Sequence, residues 1–219
     1  MRITLPNGVP AELALPSTVN ESTIGVVLFP DIMGLRPLFD DMCAQLATVH
    51  GWAVCAPEPF PGREALSVED RLGVMADLDD VELSATALLA ADATGCDRMV
   101  ATGFCMGGML AFKAAALGRF DRVAGFYGMI RLPEAWAGGR LRQPIEALAS
   151  ADRCPTLAVI GTADHFTPPQ DVAEAEALGV VVVSYEGAEH GFVHDASRPA
   201  HRPEDAADAW RQVAAFLQS

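Results

Sequence analysis

The chain has 219 residues, enough to bury a substantial core in one domain spanning residues 1–219. Hydrophobic residues make up 51% and charged residues 20%, and 15 basic against 29 acidic residues give a formal charge of -14. A field of that sign repels phosphate backbones and anionic headgroups, and no apolar run reaches the roughly 18 residues of a membrane span, so neither nucleic acid nor membrane is an expected partner.

The N-terminal stretch MRITLPNGVPAELALP interrupts its apolar residues at Pro6, Asn7, Pro10 and Glu12, before the core of a signal peptide can form. A cytoplasmic location is therefore expected. Within it, Arg2–Leu5 and Ala11–Leu15 flank the turn signal PNGVP and predict an antiparallel hairpin at a sheet edge. Short apolar runs then alternate with longer amphipathic stretches, the pattern of a mostly parallel sheet with crossover helices on both faces, an α/β class.

In chain order, strands are expected at 25–29 (GVVLF), 52–56, 98–102 (RMVAT), 123–127, 156–160 (TLAVI) and 180–185 (VVVVSY). Helices are expected at about 37–50, about 66–92 with a break, 106–117, about 168–177 and 203–218. The segments PEPFPGRE and WAGGRLRQP read as loops. Pro203 and the acidic residues after it suit the first turn of the last helix.

Cysteines stand at 43, 55, 96, 105 and 154, an odd number with no C-x-x-C pair, which predicts reduced thiols rather than a disulfide framework or a zinc site. Cys43, Cys55 and Cys154 sit among apolar neighbours and read as buried hydrophobes. Cys105 does not. In GFCMGG it lies between a strand and a helix, where glycines allow the sharp turn of a nucleophile elbow and the positive end of the next helix favours a thiolate. No G-x-S-x-G occurs in the chain, so a serine has no elbow to occupy.

An elbow nucleophile is followed along the chain by an acid and then a histidine, each in a loop after a late strand. Asp164 in GTADHFTPP and His190 in EGAEHGF stand in that order. The imidazole would take the thiol proton and later activate water, and the carboxylate would fix its tautomer. The oxyanion would meet the backbone N–H of Met106 and that of Ile32, in the loop after the first parallel strand. A metal site at His190, His194 and Asp195 is the weaker alternative, because Gly191 disfavours the helix that would align the two histidines.

The motifs PDIMGL, GFCMGG, GTADHFTP and EHGF, in this order and over nearly the whole chain, resemble the dienelactone hydrolase family of the α/β-hydrolase fold. The resemblance implies hydrolysis of a small ester or lactone by a Cys-His-Asp triad, with neither metal nor organic cofactor. It implies that Asp31 stands where the family has a glutamate that pairs with the thiol. It also implies that a substrate carboxylate would be met at His194, where the family has an arginine, and at Arg63 or Arg71, with Arg36 and Arg198 as nearby alternatives. Phe39, Tyr127 and Phe192, with Phe60 and Trp136, are candidates to line the pocket. A monomer or small homo-oligomer is expected, and the rival readings are a non-catalytic small-molecule binder and a redox-sensing thiol on the same fold.

Overall fold

The central apolar runs become strands that are buried from end to end, as Gly25–Phe29 and Met99–Phe104 illustrate, whereas the run at Val181–Tyr185 forms an edge strand that stays partly exposed. In the computed structural model, which describes residues 1–219, the strands are β1 (Arg2–Thr4), β2 (Pro10–Ala14), β3 (Gly25–Phe29), β4 (Ala53–Pro57), β5 (Met99–Phe104), β6 (Arg122–Phe126), β7 (Thr156–Gly161) and β8 (Val181–Tyr185). They form one eight-stranded sheet in the order β1-β2-β4-β3-β5-β6-β7-β8. β1 pairs antiparallel with β2, and β2 antiparallel with β4; every other pairing is parallel. This is the α/β-hydrolase architecture, with its antiparallel edge at the N-terminal hairpin.

The helices are α1 (Pro37–His50), α2 (Val68–Gly73), α3 (Asp80–Ala93), α4 (Met106–Ala114), α5 (Pro144–Leu148), α6 (Pro169–Ala177) and α7 (Pro203–Gln218). Side chains alternate across a strand, so Val27, Phe29 and Ala101 pack under α3 and α4, whereas Val26, Leu28 and Val100 pack under α1 and α7. Ile145, Leu148 and Ala175 of α5 and α6 close a smaller core around Phe112 and Ile160. No helix is long and apolar enough to cross a membrane.

The break expected within 66–92 is present, and other segments differ from expectation. The stretch expected at about 66–92 divides into α2, a 3₁₀ turn at Met75–Asp77 and α3, which restarts where the Asp79 carboxylate accepts the Val81 N–H at 2.8 Å. Strand β5 runs on to Phe104, directly into the elbow. Helix α5 begins at Pro144, the last residue of the segment read as a loop; it is too short to show a helical period.

The C-terminal edge of the sheet is where the fold builds its site. β3 and β5 are adjacent parallel strands paired up to Phe29↔Gly103, and β5 and β6 are paired up to Phe104↔Phe126. The loop after β3 and the turn after β5 therefore emerge side by side.

Candidate active site

Cys105 links β5 to α4 with φ 57° and ψ -119°, a conformation that costs a residue with a side chain about 1–3 kcal/mol and persists only where its surroundings impose it. Those surroundings are visible. The Cys105 N–H donates to the Phe126 carbonyl at 3.0 Å, and its own carbonyl accepts the Met109 N–H at 3.1 Å. The neighbouring glycines allow backbones to touch: a Cβ on Gly107 would lie 2.1 Å from the Phe29 carbonyl oxygen, and one on Gly103 would lie 2.3 Å from that of Gly107. Gly108 meets Phe126 and Gly128 in the same way, at 2.7 and 2.9 Å. The elbow thus presents a half-buried thiol at the head of α4.

His190 and Asp164 arrive on the loops after β8 and β7, and His190 Nδ1 hydrogen-bonds Asp164 Oδ2 at 2.7 Å. The carboxylate is held by its own loop, Oδ1 accepting the Phe166 N–H at 2.9 Å. The ring stands edge-on between Tyr127, at 5.1 Å between centroids, and Phe166, at 4.9 Å. His190 Nε2 is buried with no hydrogen-bond partner, and Cys105 is the neighbouring side chain that, with Asp164, acts on the ring's proton affinity. Burial pulls the imidazole towards neutrality, but Asp164, hydrogen-bonded to it, and the neighbouring Cys105 outweigh it and lift its pKa to about 9.

A pH dependence follows. The folded chain holds a proton on His190 that the unfolded chain releases above its ordinary value of 6.5. The stability gained there is complete below about pH 6.5 and is lost as pH rises through about 9. Melting temperatures measured across that window should fall for the wild type more steeply than for His190→Gln; parallel curves would contradict the assignment.

The Met106 N–H opens α4 and is one of the first-turn donors that no intrahelical carbonyl can reach. The Ile32 N–H lies in the turn after β3 and has no acceptor in the hydrogen bonding of that turn, where Gly34 N–H binds the Asp31 carbonyl at 2.9 Å. The two amides expected at the oxyanion thus sit on the two adjacent loops.

The other sequence-predicted residues are placed differently. Asp31 is buried, and its carboxylate is saturated. Oδ1 accepts Met33 N–H at 2.9 Å and Arg36 Nη1 at 2.7 Å, while Oδ2 accepts Arg36 Nη2 at 2.9 Å and His194 Nε2 at 2.7 Å. A carboxylate has about four lone-pair sites, so none is left for a thiol. Burial works against its charge, yet His194 and Arg36 hold the carboxyl well below the usual range. This corrects the expectation that Asp31 pairs with the nucleophile.

His194 is fully buried, with Nε2 on Asp31 and Nδ1 hydrogen-bonded to the Tyr127 hydroxyl. Burial pushes its pKa down and keeps it neutral, so neither a cation nor a free nitrogen is offered to a substrate carboxylate. The tautomer follows from its neighbours: an ionised Asp31 must accept from Nε2–H, leaving Nδ1 to accept from Tyr127.

Arg63 is exposed and pairs with Asp77 at 3.4 Å, and Arg71 is buried against Glu58 at 3.3 Å. Phe39, Tyr127 and Phe192 have no exposed surface and belong to the core between the sheet and α1 and α7, so they do not line an open pocket. The cavity bounded by Phe29, Pro30, Leu83, Leu110 and Lys113 includes no triad residue and is not where a substrate would meet the thiol. Reading the sequence missed Glu58, whose only signal was an acid set among the prolines of PEPFP.

Comparisons with known proteins bear on the fold and the family. The chain is 30% identical over 197 residues to a carboxymethylenebutenolidase of Pseudomonas sp., covering 82% of this chain and 77% of the relative. Over 99% of its length, and 95% of the relative, it is 27% identical to a candidate carboxymethylenebutenolidase of Synechocystis sp.. The crystal structure of a candidate dienelactone hydrolase from Klebsiella pneumoniae superposes with a TM-score of 0.87 at 22% identity, covering 99% of this chain and 97% of that one, and shares the fold. The model of the dienelactone hydrolase family matches residues 9–219, and the chain belongs to that family of hydrolases.

Proposed function

We propose that the protein hydrolyses a small ester or lactone through a thioester on Cys105. The observation that carries this reading is the thiol held in a left-handed turn at the head of α4, with the His190–Asp164 pair at the same sheet edge.

His190 Nε2 holds the thiol proton as an imidazolium, and the sulfur attacks the substrate carbonyl to give a tetrahedral oxyanion held by the amides of Ile32 and Met106. The imidazolium returns the proton to the departing alkoxide as the C–O bond breaks, leaving an acyl group on sulfur. Water, deprotonated by the same nitrogen, then attacks the thioester and releases the acid and the thiol. Asp164 holds Nδ1–H throughout.

Relatives are named for a carboxymethylene-substituted butenolide, a lactone that carries a carboxylate. In this chain, with Arg36, Arg63 and Arg71 each paired to an acid, the cation left near the site is half-buried Arg198, whose guanidinium lies over Gly191, next to His190. Steady-state assays on matched neutral esters, neutral lactones and carboxylate-bearing lactones test the reading. Turnover of at least one class, lost in His190→Ala, is the expected result. Binding without turnover across the whole panel would favour a binding protein instead.

A further inference from the structure

Glu58 and Arg71 form a buried ion pair at 3.3 Å, with side chains only 1% and 4% exposed. Removing two charges from water costs more than their attraction returns unless further hydrogen bonds complete the site, and both groups are completed in that way. Glu58 Oε2 accepts the Leu35 N–H at 2.8 Å, and Oε1 accepts the Phe60 N–H at 2.9 Å. Arg71 donates to the carbonyls of Glu64 at 2.7 Å, Leu66 at 3.3 Å and Ile32 at 3.4 Å, and its guanidinium lies 5.0 Å from the centre of the Phe60 ring.

These contacts grip one short loop. The pair holds residues 32–35 at both ends, by the Ile32 carbonyl and the Leu35 N–H. Between them, Gly34 has φ 68°, and a Cβ there would lie 2.6 Å from both Arg71 Nη1 and Glu58 Oε1. The loop is thus drawn against the pair as closely as a residue without a side chain permits. It is also the loop that carries the Ile32 N–H.

We infer that Glu58 and Arg71 are positioning residues for the oxyanion-binding amide of Ile32, acting through the backbone they hold and never touching substrate. The inference rests on the proposed cysteine hydrolysis. It reassigns Arg71, which by position resembles a substrate-binding arginine, to a role that is independent of substrate charge.

Glu58→Gln tests it, because the glutamine amide nitrogen must face either the Leu35 or the Phe60 N–H, two donors in opposition. Arg71→Lys is the second variant: it keeps the charge, loses the planar fork, and decides the matter should Glu58→Gln fail to fold. Two rates separate the possibilities. Ester turnover develops an oxyanion; alkylation of Cys105 by iodoacetamide, at a saturated carbon, does not.

The expected result is a kcat reduced roughly 10²-fold, the scale for a misplaced catalytic group, with KM little changed and equally for neutral and carboxylate-bearing substrates. Alkylation should stay within about twofold of wild type, since the thiol and His190 are untouched. A folded variant with unchanged kcat would overturn the inference, as would a rise in KM confined to carboxylate-bearing substrates. Parallel loss of turnover and alkylation would also overturn it. Failure of the underlying reading looks different: Cys105→Ala would then turn over ester as the wild type does, whatever Glu58→Gln shows.

Discussion

Replacing Cys105 with alanine should lower ester turnover about 10⁴-fold or more while leaving the chain folded. The magnitude is that of removing a nucleophile from a triad that acts as a unit, where the residual rate comes from the oxyanion donors and binding alone. Folding should survive because the side chain is small and half-buried, and the Cys105 backbone keeps its bonds to Phe126 and Met109. The other thiols supply the control. Burial pushes Cys55 up to about 12 and Cys154 up to about 11, and raises Cys43 and Cys96, so these four stay protonated and unreactive at neutral pH. Iodoacetamide should accordingly label Cys105 first and abolish turnover in step with that labelling. Full activity after stoichiometric labelling of Cys105 would refute the assignment.

Asp164→Asn should cost about 10⁴-fold in kcat at neutral pH and lower the melting temperature below about pH 9, where Asp164 helps hold the His190 proton, without loss of the fold. The two side chains have the same shape, and the asparagine oxygen can still accept either the Phe166 N–H or His190 Nδ1–H. What is lost is the charge that stabilises the imidazolium and the acceptor geometry that selects the Nδ1–H tautomer. An amide nitrogen turned towards Nδ1 would stabilise the other tautomer, with its proton on Nε2, where the thiol proton has to go. The His190 pKa should fall as well, because Asp164 supplies part of what lifts it to about 9 against burial. Steady-state kinetics and a histidine titration by NMR check both halves. A kcat within tenfold of wild type would show that His190 works without this partner.

The sheet was legible because its strands are near-continuous apolar runs bounded by glycine and proline, and a strand buried on both faces has little choice of residue. The elbow was legible because three glycines around one cysteine are unusual, and each now has a reason in a backbone contact that a Cβ would break. Asp164 and His190 followed from chain order, which the topology of the late strands imposes. The surroundings were not legible in this way. Asp31, His194 and Tyr127 come from three separate loops, and only the folded chain shows that they bond to one another. An aspartate two residues after a strand looks the same in sequence whether its lone pairs are free or filled. Arg71 poses the same difficulty, since a buried ion pair and a substrate-binding cation are both written as an arginine near a loop; its acid, Glu58, stands thirteen residues away.

The acyl-enzyme is the most direct test of the central claim. The protein is mixed with an ester that has a good leaving group, quenched in acid during the first turnovers, digested and mapped by mass spectrometry. The account predicts one added acyl group, on the peptide containing Cys105, that is removed by hydroxylamine and does not form in Cys105→Ala. An acyl group on any other residue would contradict it.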